Sequence, residues 1–201
     1  AMVQLSPDTH IMGWDASSGY HYDDRTIYGF SHTHLSGTGI GDLGDVSLLP
    51  YCGEDSIKPI ATFRKETEKA VPGYYTVRLD NFGVNVELTS TDRVGFHRYT
   101  YDNPKERRVM LDLGHILQPD WGHKLVDNDY LFVNDSTVEG TFRTQGWAHF
   151  HAVSYRIVFS EKIEKVYQYI DGEQRSDSLF LRLHTDKDLK FHYKFKESAE
   201  P

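Results

Sequence analysis

The chain has 201 residues, 38% of them hydrophobic, and a net charge of −8 from 22 basic and 30 acidic side chains. This composition supports a folded core and excludes a disordered chain; without a long basic cluster it excludes a nucleic-acid partner, and no apolar run approaches the roughly 18 residues of a membrane span. Cys52 is the only cysteine, which excludes an internal disulfide and a cysteine-rich zinc site.

The opening "AMVQLSPDT" reads as the end of a strand, and nothing in it has the form of a signal peptide. "HIMGWDASSGYHYDD", residues 10 to 24, then sets Trp14, Tyr20 and Tyr22 beside Asp15, Asp23 and Asp24. Sugars offer apolar C–H faces to aromatic rings and hydroxyls to carboxylates, imidazoles and amides. The stretch has the chemistry of a carbohydrate-binding wall. The competing reading makes Trp14 a buried anchor and the tyrosines ordinary packing.

"GFSHTHLSGTGIGDLGD", residues 29 to 45, admits three readings. Gly39, Gly41 and Gly44 spell G-x-G-x-x-G, but "DVSLLPY" follows and reads as a strand, whereas a dinucleotide fingerprint needs a helix there. The glycines then serve tight turns and close backbone approach. His32 and His34 are two apart and would share one side of an extended strand, with Asp42, Asp45 or His21 as a third metal ligand. That is the metal-dependent hydrolase reading, set against imidazoles that only hydrogen-bond loop backbone. The third reading is a rigid loop lining a sugar pocket.

"TFRKETEKAV" (62 to 71), stopped by Pro72, is the one helical candidate. "GYYTVRLDNFGVNVELTST" (73 to 91) alternates around a turn at Asn81 to Gly83 and reads as a hairpin with Tyr75, Val77, Leu79, Val84, Val86 and Leu88 on the buried face. Further strands are expected at 94 to 101, 108 to 113, 137 to 144, 148 to 160, 165 to 170, 179 to 184 and 189 to 195, all rich in Val, Tyr, Phe and Thr. Many antiparallel strands with very little helix imply an all-β fold, a large antiparallel β-sandwich with long ordered loops. No linker divides residues 1–201, so one domain is expected, ending in the polar "KESAEP".

"MVQLSPDT", "GWDASSGYHYDDRTIYGFSHTHLSGTGIGDLGDVSLLPY", "PGYYTVRL", "VELTSTDRVGFHRYTY" and "LDLGH" together resemble the N-terminal domain of glycoside hydrolase family 92, the calcium-dependent exo-acting α-mannosidases. The resemblance implies a supersandwich-like domain joined to a C-terminal (α/α)6-barrel catalytic domain of the same polypeptide. The general acid, the general base and most Ca2+ ligands belong to that barrel, so no catalytic residue, no metal and no cofactor is expected in this chain, and the chain alone is expected to be inactive. The reaction inverts the anomeric centre, which places two carboxyl groups roughly 6.5–9.5 Å apart.

By the same resemblance Trp14 faces the leaving-group sugar of an α-mannoside glycan. Residues of "SHTHLSGTGIGD" support or line the mannose subsite, giving Trp14, Asp15, Tyr22, His32, His34, Ser36, Gly39 and Asp42 as the substrate-binding set. Ile40 stands where family members often have cysteine. α-1,2-Mannosides are the expected substrates, and a periplasmic or secreted location is a family expectation. A stand-alone carbohydrate-binding module is the alternative function. A domain that lines a shared site should also carry an exposed apolar or aromatic patch.

Overall fold

Period-two alternation becomes strand along most of the chain. The structure, a computed structural model, describes residues 2–35, 40–53, 58–175 and 181–197. In order the strands are β1 (Ser6–Asp8), β2 (Thr26–Ile27), β3 (Gly29–Ser31), β4 (Ser47–Cys52), β5 (Ala61–Thr62) and β6 (Lys69–Val71). There follow β7 (Tyr74–Leu79), β8 (Val84–Ser90), β9 (Gly95–Tyr101), β10 (Arg107–Asp112), β11 (Lys124–Asn134) and β12 (Thr137–Gln145). The last are β13 (His151–Val158), β14 (Ile163–Ile170), β15 (Glu173–Arg175), β16 (Arg182–Thr185) and β17 (Leu189–Phe195). Short 3-10 turns at Trp14–Ala16, Lys65–Thr67 and Pro119–Trp121 are the helical content of the described residues.

The strands form a seven-stranded sheet ordered β1-β3-β4-β10-β17-β14-β15 and two four-stranded sheets, β6-β7-β8-β9 and β13-β12-β11-β16, with a β2-β5 pair. Alternation along β4 and β10 divides the core. Leu49, Tyr51 and Met110 join Val77, Leu79, Val84, Val86 and Leu88 in one cluster. Leu48, Val109 and Leu111, from the other side of the same strands, join Tyr130, Val138, Phe142, Phe191 and Tyr193 in a second. Both faces of the large sheet are thus covered, giving the all-β sandwich expected. Each fully buried aliphatic or Phe side chain contributes about 1.5–3 kcal/mol. The Tyr130 and Phe191 rings stack with centroids 3.8 Å apart, and the buried Tyr130 and Tyr193 hydroxyls hydrogen-bond each other at 3.1 Å.

The 73–91 hairpin forms in the expected register, with Leu79 opposite Val84, Val77 opposite Val86 and Tyr75 opposite Leu88. The helix expected over 62–71 does not form. Ala61–Thr62 pairs with β2, Lys65–Thr67 makes one 3-10 turn, and Lys69–Val71 pairs with β7. Cross-strand bonding overrides local helix propensity here, and Lys65 Nζ is drawn to Glu68 Oε2 at 2.8 Å and Tyr20 Oη at 2.9 Å. Strand β11 was not marked by alternation, because its "VDND" is polar and the strand bulges at Leu125/Asp127 and Phe132/Asn134. Of the strand expected at 179 to 184, β16 starts at Arg182, and Leu179 and Phe180 lie outside the described residues.

Candidate functional site

Four connecting segments meet at one end of the sandwich: 10–19, 40–46, 114–123 and 145–150. The glycines of the 29–45 stretch explain how closely they meet. A Cβ added at Gly41 would lie 1.9 Å from Gln118 Cγ, and one at Gly44 would lie 2.7 Å from Leu117 Cγ. Backbone bonds run alongside: Leu117 N donates to Leu43 O at 3.0 Å and Gln118 N to Ile11 O at 2.8 Å. Strand β4, not a helix, follows the G-x-G-x-x-G stretch. Gly41 and Gly44 serve close approach, as expected; Gly39 lies outside the described residues.

Asp42 ties these segments together. Its carboxylate is buried and accepts from Leu43 N and, across the fold, from Ala148 N, each at 3.0 Å. His123 Nε2 lies 3.3 Å from the same carboxylate, while His123 Nδ1 donates to Leu117 O at 2.6 Å. Gln118 Nε2 donates to Gly13 O at 2.9 Å, fixing the residue before Trp14.

These anchors carry aromatics into solvent. Trp14, Trp121 and Trp147 are 61%, 40% and 74% exposed, although tryptophan is ordinarily well buried. Trp14 and Trp121 lie with ring centroids 5.4 Å apart at 37°. Met12 and Phe150, on the same segments, are also exposed. The result is an aromatic face of the kind expected of a domain that lines a site. Trp121 and Trp147 were not among the residues singled out from sequence. Their signal was that each tryptophan of this chain adjoins a glycine, in "MGWD", "PDWG" and "QGWA".

His32 and His34 do not share one face, because β3 ends at Ser31 before either residue. His32 Nδ1 donates to Val46 O at 2.6 Å, and its Nε2 lies 3.0 Å from His97 Nε2. Tyr99 Oη lies 2.7 Å from His97 Nδ1. Hydrogens run consistently from Tyr99 through neutral His97 and neutral His32 to the carbonyl, and burial pushes both histidine pKa values down. His34 belongs to a different cluster. Its Nδ1 donates to Gln4 O at 2.6 Å and its Nε2 to Asp8 Oδ1 at 2.7 Å. Both ring nitrogens are therefore donors, which describes an imidazolium.

His115 Nε2 donates to the other Asp8 oxygen at 2.8 Å. Burial works against both charges of the Asp8–His34 pair, yet their mutual attraction and hydrogen bonds prevail. The Asp8 carboxyl is held far below the usual carboxylate range and the His34 pKa is raised. Neither Asp42 nor Asp45 joins the two histidines: Asp45 Oδ2 is taken by Thr33 Oγ1 at 2.5 Å and His151 Nε2 at 2.7 Å. His21 Nδ1 accepts from Asp23 N at 3.2 Å. The sequence-level metal triad is not assembled.

Of the remaining sequence-expected residues, Asp15 is exposed in the first turn with Trp14. Tyr22 is exposed over Lys65, whose Nζ lies 4.9 Å from the ring centroid. Ser36 lies outside the described residues. Among the described residues one cluster offers three metal-ligating side chains, Asp127, Asp129 and His184. Arg143 Nη1 already pairs with both of those carboxylates. A cationic guanidinium between two aspartates, with one imidazole, does not fit Ca2+, which takes six to eight oxygens.

A family model described as the glycosyl hydrolase family 92 N-terminal domain matches residues 1–200. A family GH92 alpha-mannosidase from Bacteroides thetaiotaomicron superposes with a TM-score of 0.89 at 32% identity, over 99% of this chain and 28% of that one; its complex with mannoimidazole matches equally. An inverting mannosidase of the same family and organism gives a TM-score of 0.78 at 20% identity, over 98% of this chain and 26% of that one, which shows the fold alone. A protein of Arthroderma benhamiae described as an uncharacterized secreted glycosidase is 30% identical over 120 residues, 51% of this chain and 15% of that protein. The chain thus spans well under a third of the length of these relatives.

Proposed function

The chain belongs to the N-terminal domains of glycosyl hydrolase family 92, and from that premise we propose that it forms one wall of the mannoside site of an exo-α-mannosidase. The general acid and base of this inverting, calcium-dependent enzyme belong to the rest of the polypeptide, an (α/α)6-barrel, as do most ligands of its Ca2+. When bound, the ion would supply a template for sugar hydroxyls. The parent is secreted or periplasmic and acts on α-1,2-mannosides.

The observation that carries this reading is the exposed pair Trp14 and Trp121, held on segments fixed by Gln118 and Asp42. A tryptophan face packs on the apolar C–H face of a pyranose and excludes water beside the scissile bond. Fixed loops confer orientation without an ordering cost on binding. His32 holds the stretch after β3 to Val46 O, and His34 holds it to Gln4 O and Asp8, rather than touching sugar.

The test is hydrolysis of an aryl α-mannoside by the full-length parent, with Ca2+ and with chelator, comparing wild type with Trp14→Ala. A fall in kcat/KM of roughly tenfold or more is expected, the scale of 1.4 kcal/mol of lost transition-state binding. Unchanged kinetics in a folded variant would remove Trp14 from the site. Turnover by residues 1–201 alone would place acid and base within this chain and overturn the division of labour. The same exposed tryptophans suit a stand-alone carbohydrate-binding module, and tight mannose binding by residues 1–201 would favour it.

A further inference from the structure

The segment that carries Asp42 holds a second buried carboxylate. The Asp45 side chain has no exposed surface. Its Oδ2 accepts from Thr33 Oγ1 at 2.5 Å and from His151 Nε2 at 2.7 Å, and Thr33 Oγ1 in turn accepts from Asp45 N at 2.9 Å. The carboxylate is therefore locked to its own backbone on one side and to one imidazole on the other. Its Oδ1 is buried with no hydrogen-bond partner among the described residues. A buried charge left half satisfied costs stability, and costs of this kind concentrate at functional positions.

His151 is the polar member of an otherwise apolar row. Along β13 the half-buried residues are His151, Val153, Tyr155 and Ile157, alternating with exposed ones, and the last three pack on the second core cluster. His151 opens the row directly after the exposed Phe150 and four residues past the exposed Trp147. The tip bearing Trp147 is pinned on both sides, through Ala148 N to Asp42 and through His151 to Asp45. The imidazole is still 24% exposed. Its Nδ1 makes no hydrogen bond among the described residues. A carboxylate that fixes one imidazole nitrogen orients the other, so Nδ1 is the atom left for a ligand.

We propose that His151 is a specificity-determining contact for the leaving-group sugar, its Nδ1 hydrogen-bonding a hydroxyl of that sugar beside Trp147 while Asp45 holds the imidazole in place. A sugar hydroxyl both donates and accepts, so it pairs with Nδ1 in either protonation state of the ring. An exposed tryptophan next to a fixed polar group supplies both contacts that a pyranose needs, one for its C–H face and one for a hydroxyl. The inference rests on the mannosidase reading above, in which the barrel and its Ca2+ hold the cleaved mannose and this domain faces the leaving group.

His151→Gln in the full-length parent tests the contact, because the glutamine amide can still donate to Asp45 but offers no second ring nitrogen. kcat/KM is measured on the α-mannobiose that the parent cleaves best and on an aryl α-mannoside, whose leaving group carries no sugar hydroxyls. The expected result is a fall of roughly tenfold or more on the mannobiose and a change within about twofold on the aryl mannoside. An equal fall on both substrates would make His151 a structural pin alone and overturn the proposal, as would unchanged kinetics on both. If the variant fails to fold, the wild-type parent decides, with mannobiosides lacking one leaving-group hydroxyl at a time. One of them should lose roughly tenfold in kcat/KM; equal turnover of the whole series would refute the contact. A wild-type parent that cleaves neither substrate would remove the mannosidase reading and this inference together, whereas a substrate-independent effect of His151→Gln removes only the inference.

Discussion

Gly41→Ala tests whether the glycine-rich stretch exists to admit Gln118. The new Cβ would lie 1.9 Å from Gln118 Cγ, 2.7 Å from its Cβ and 3.0 Å from its Cδ. Gln118 cannot swing aside freely. It is fully buried, its Nε2 donates to Gly13 O, its backbone N donates to Ile11 O, and its φ is 58°. Relief must come from backbone movement, an overpacking cost of about 1–3 kcal/mol, offset by about 0.4–1 kcal/mol from a stiffer unfolded chain. The net loss of roughly 1–2 kcal/mol lowers Tm by about 2–8 °C in a chain of this size. Urea and thermal unfolding followed by tryptophan fluorescence measure it. Near-UV circular dichroism should change as well, because Trp14 and Trp121 ride on the displaced segments. The decisive comparison uses Gln118→Gly, which removes the obstructing side chain and suits the positive φ. In that background Gly41→Ala should cost little. An equal cost in both backgrounds would refute the close-approach reading.

Asp42→Ala should destabilise the chain by about 1–2 kcal/mol, since Ala148 N and Leu43 N lose their acceptor, and should speed hydrogen exchange around 146–148; an unchanged exchange pattern would mean that the anchor is dispensable. The Asp8–His34 pair predicts stability that falls in both directions of pH. With the Asp8 pKa held far below its usual 3.8, the unfolded chain takes up that proton first, so stability drops as pH falls below about 4. With the His34 pKa raised above 6.5, its contribution is complete below that value and is lost as pH rises through the raised pKa. Urea midpoints against pH should show both limbs, and Asp8→Asn should flatten both. Leu79→Ala, at a fully buried position of the hairpin, should cost about 2–5 kcal/mol in urea unfolding, whereas a cost under 1 kcal/mol would place Leu79 outside the working core.

Strand content was legible in the sequence wherever one face is apolar and the other polar. Tyr75, Val77 and Leu79 against Val84, Val86 and Leu88 define a register that a one-residue slip would turn inside out. The 62–71 segment misleads because Lys65, Glu66 and Glu68 favour helix locally, while pairing to β2 and β7 is specified by residues elsewhere in the chain. β11 was hidden by Asp127, Asn128 and Asp129. Asn128 is tolerated at a buried strand position because Leu113 O accepts from its Nδ2 at 2.9 Å, a partner that alternation cannot reveal. Trp14 stands out in the sequence through its aromatic and acidic neighbours. Asp42 has the composition of a ligand contact yet spends its oxygens on backbone amides. Only the fold distinguishes these uses, since Ala148 lies over a hundred residues away in the chain.

One carboxylate, Asp42, suspends two stretches of polypeptide that synthesis adds long after it. The loops bearing Trp121 and Trp147 converge on Asp42 through His123 and Ala148, so neither can be lengthened or re-angled without shifting the other. Substitutions at the two tips can accumulate independently, but changes at the suspension point move both rings together. Grafting this face onto another scaffold would therefore require transplanting the tether with the tips, as a single inherited part.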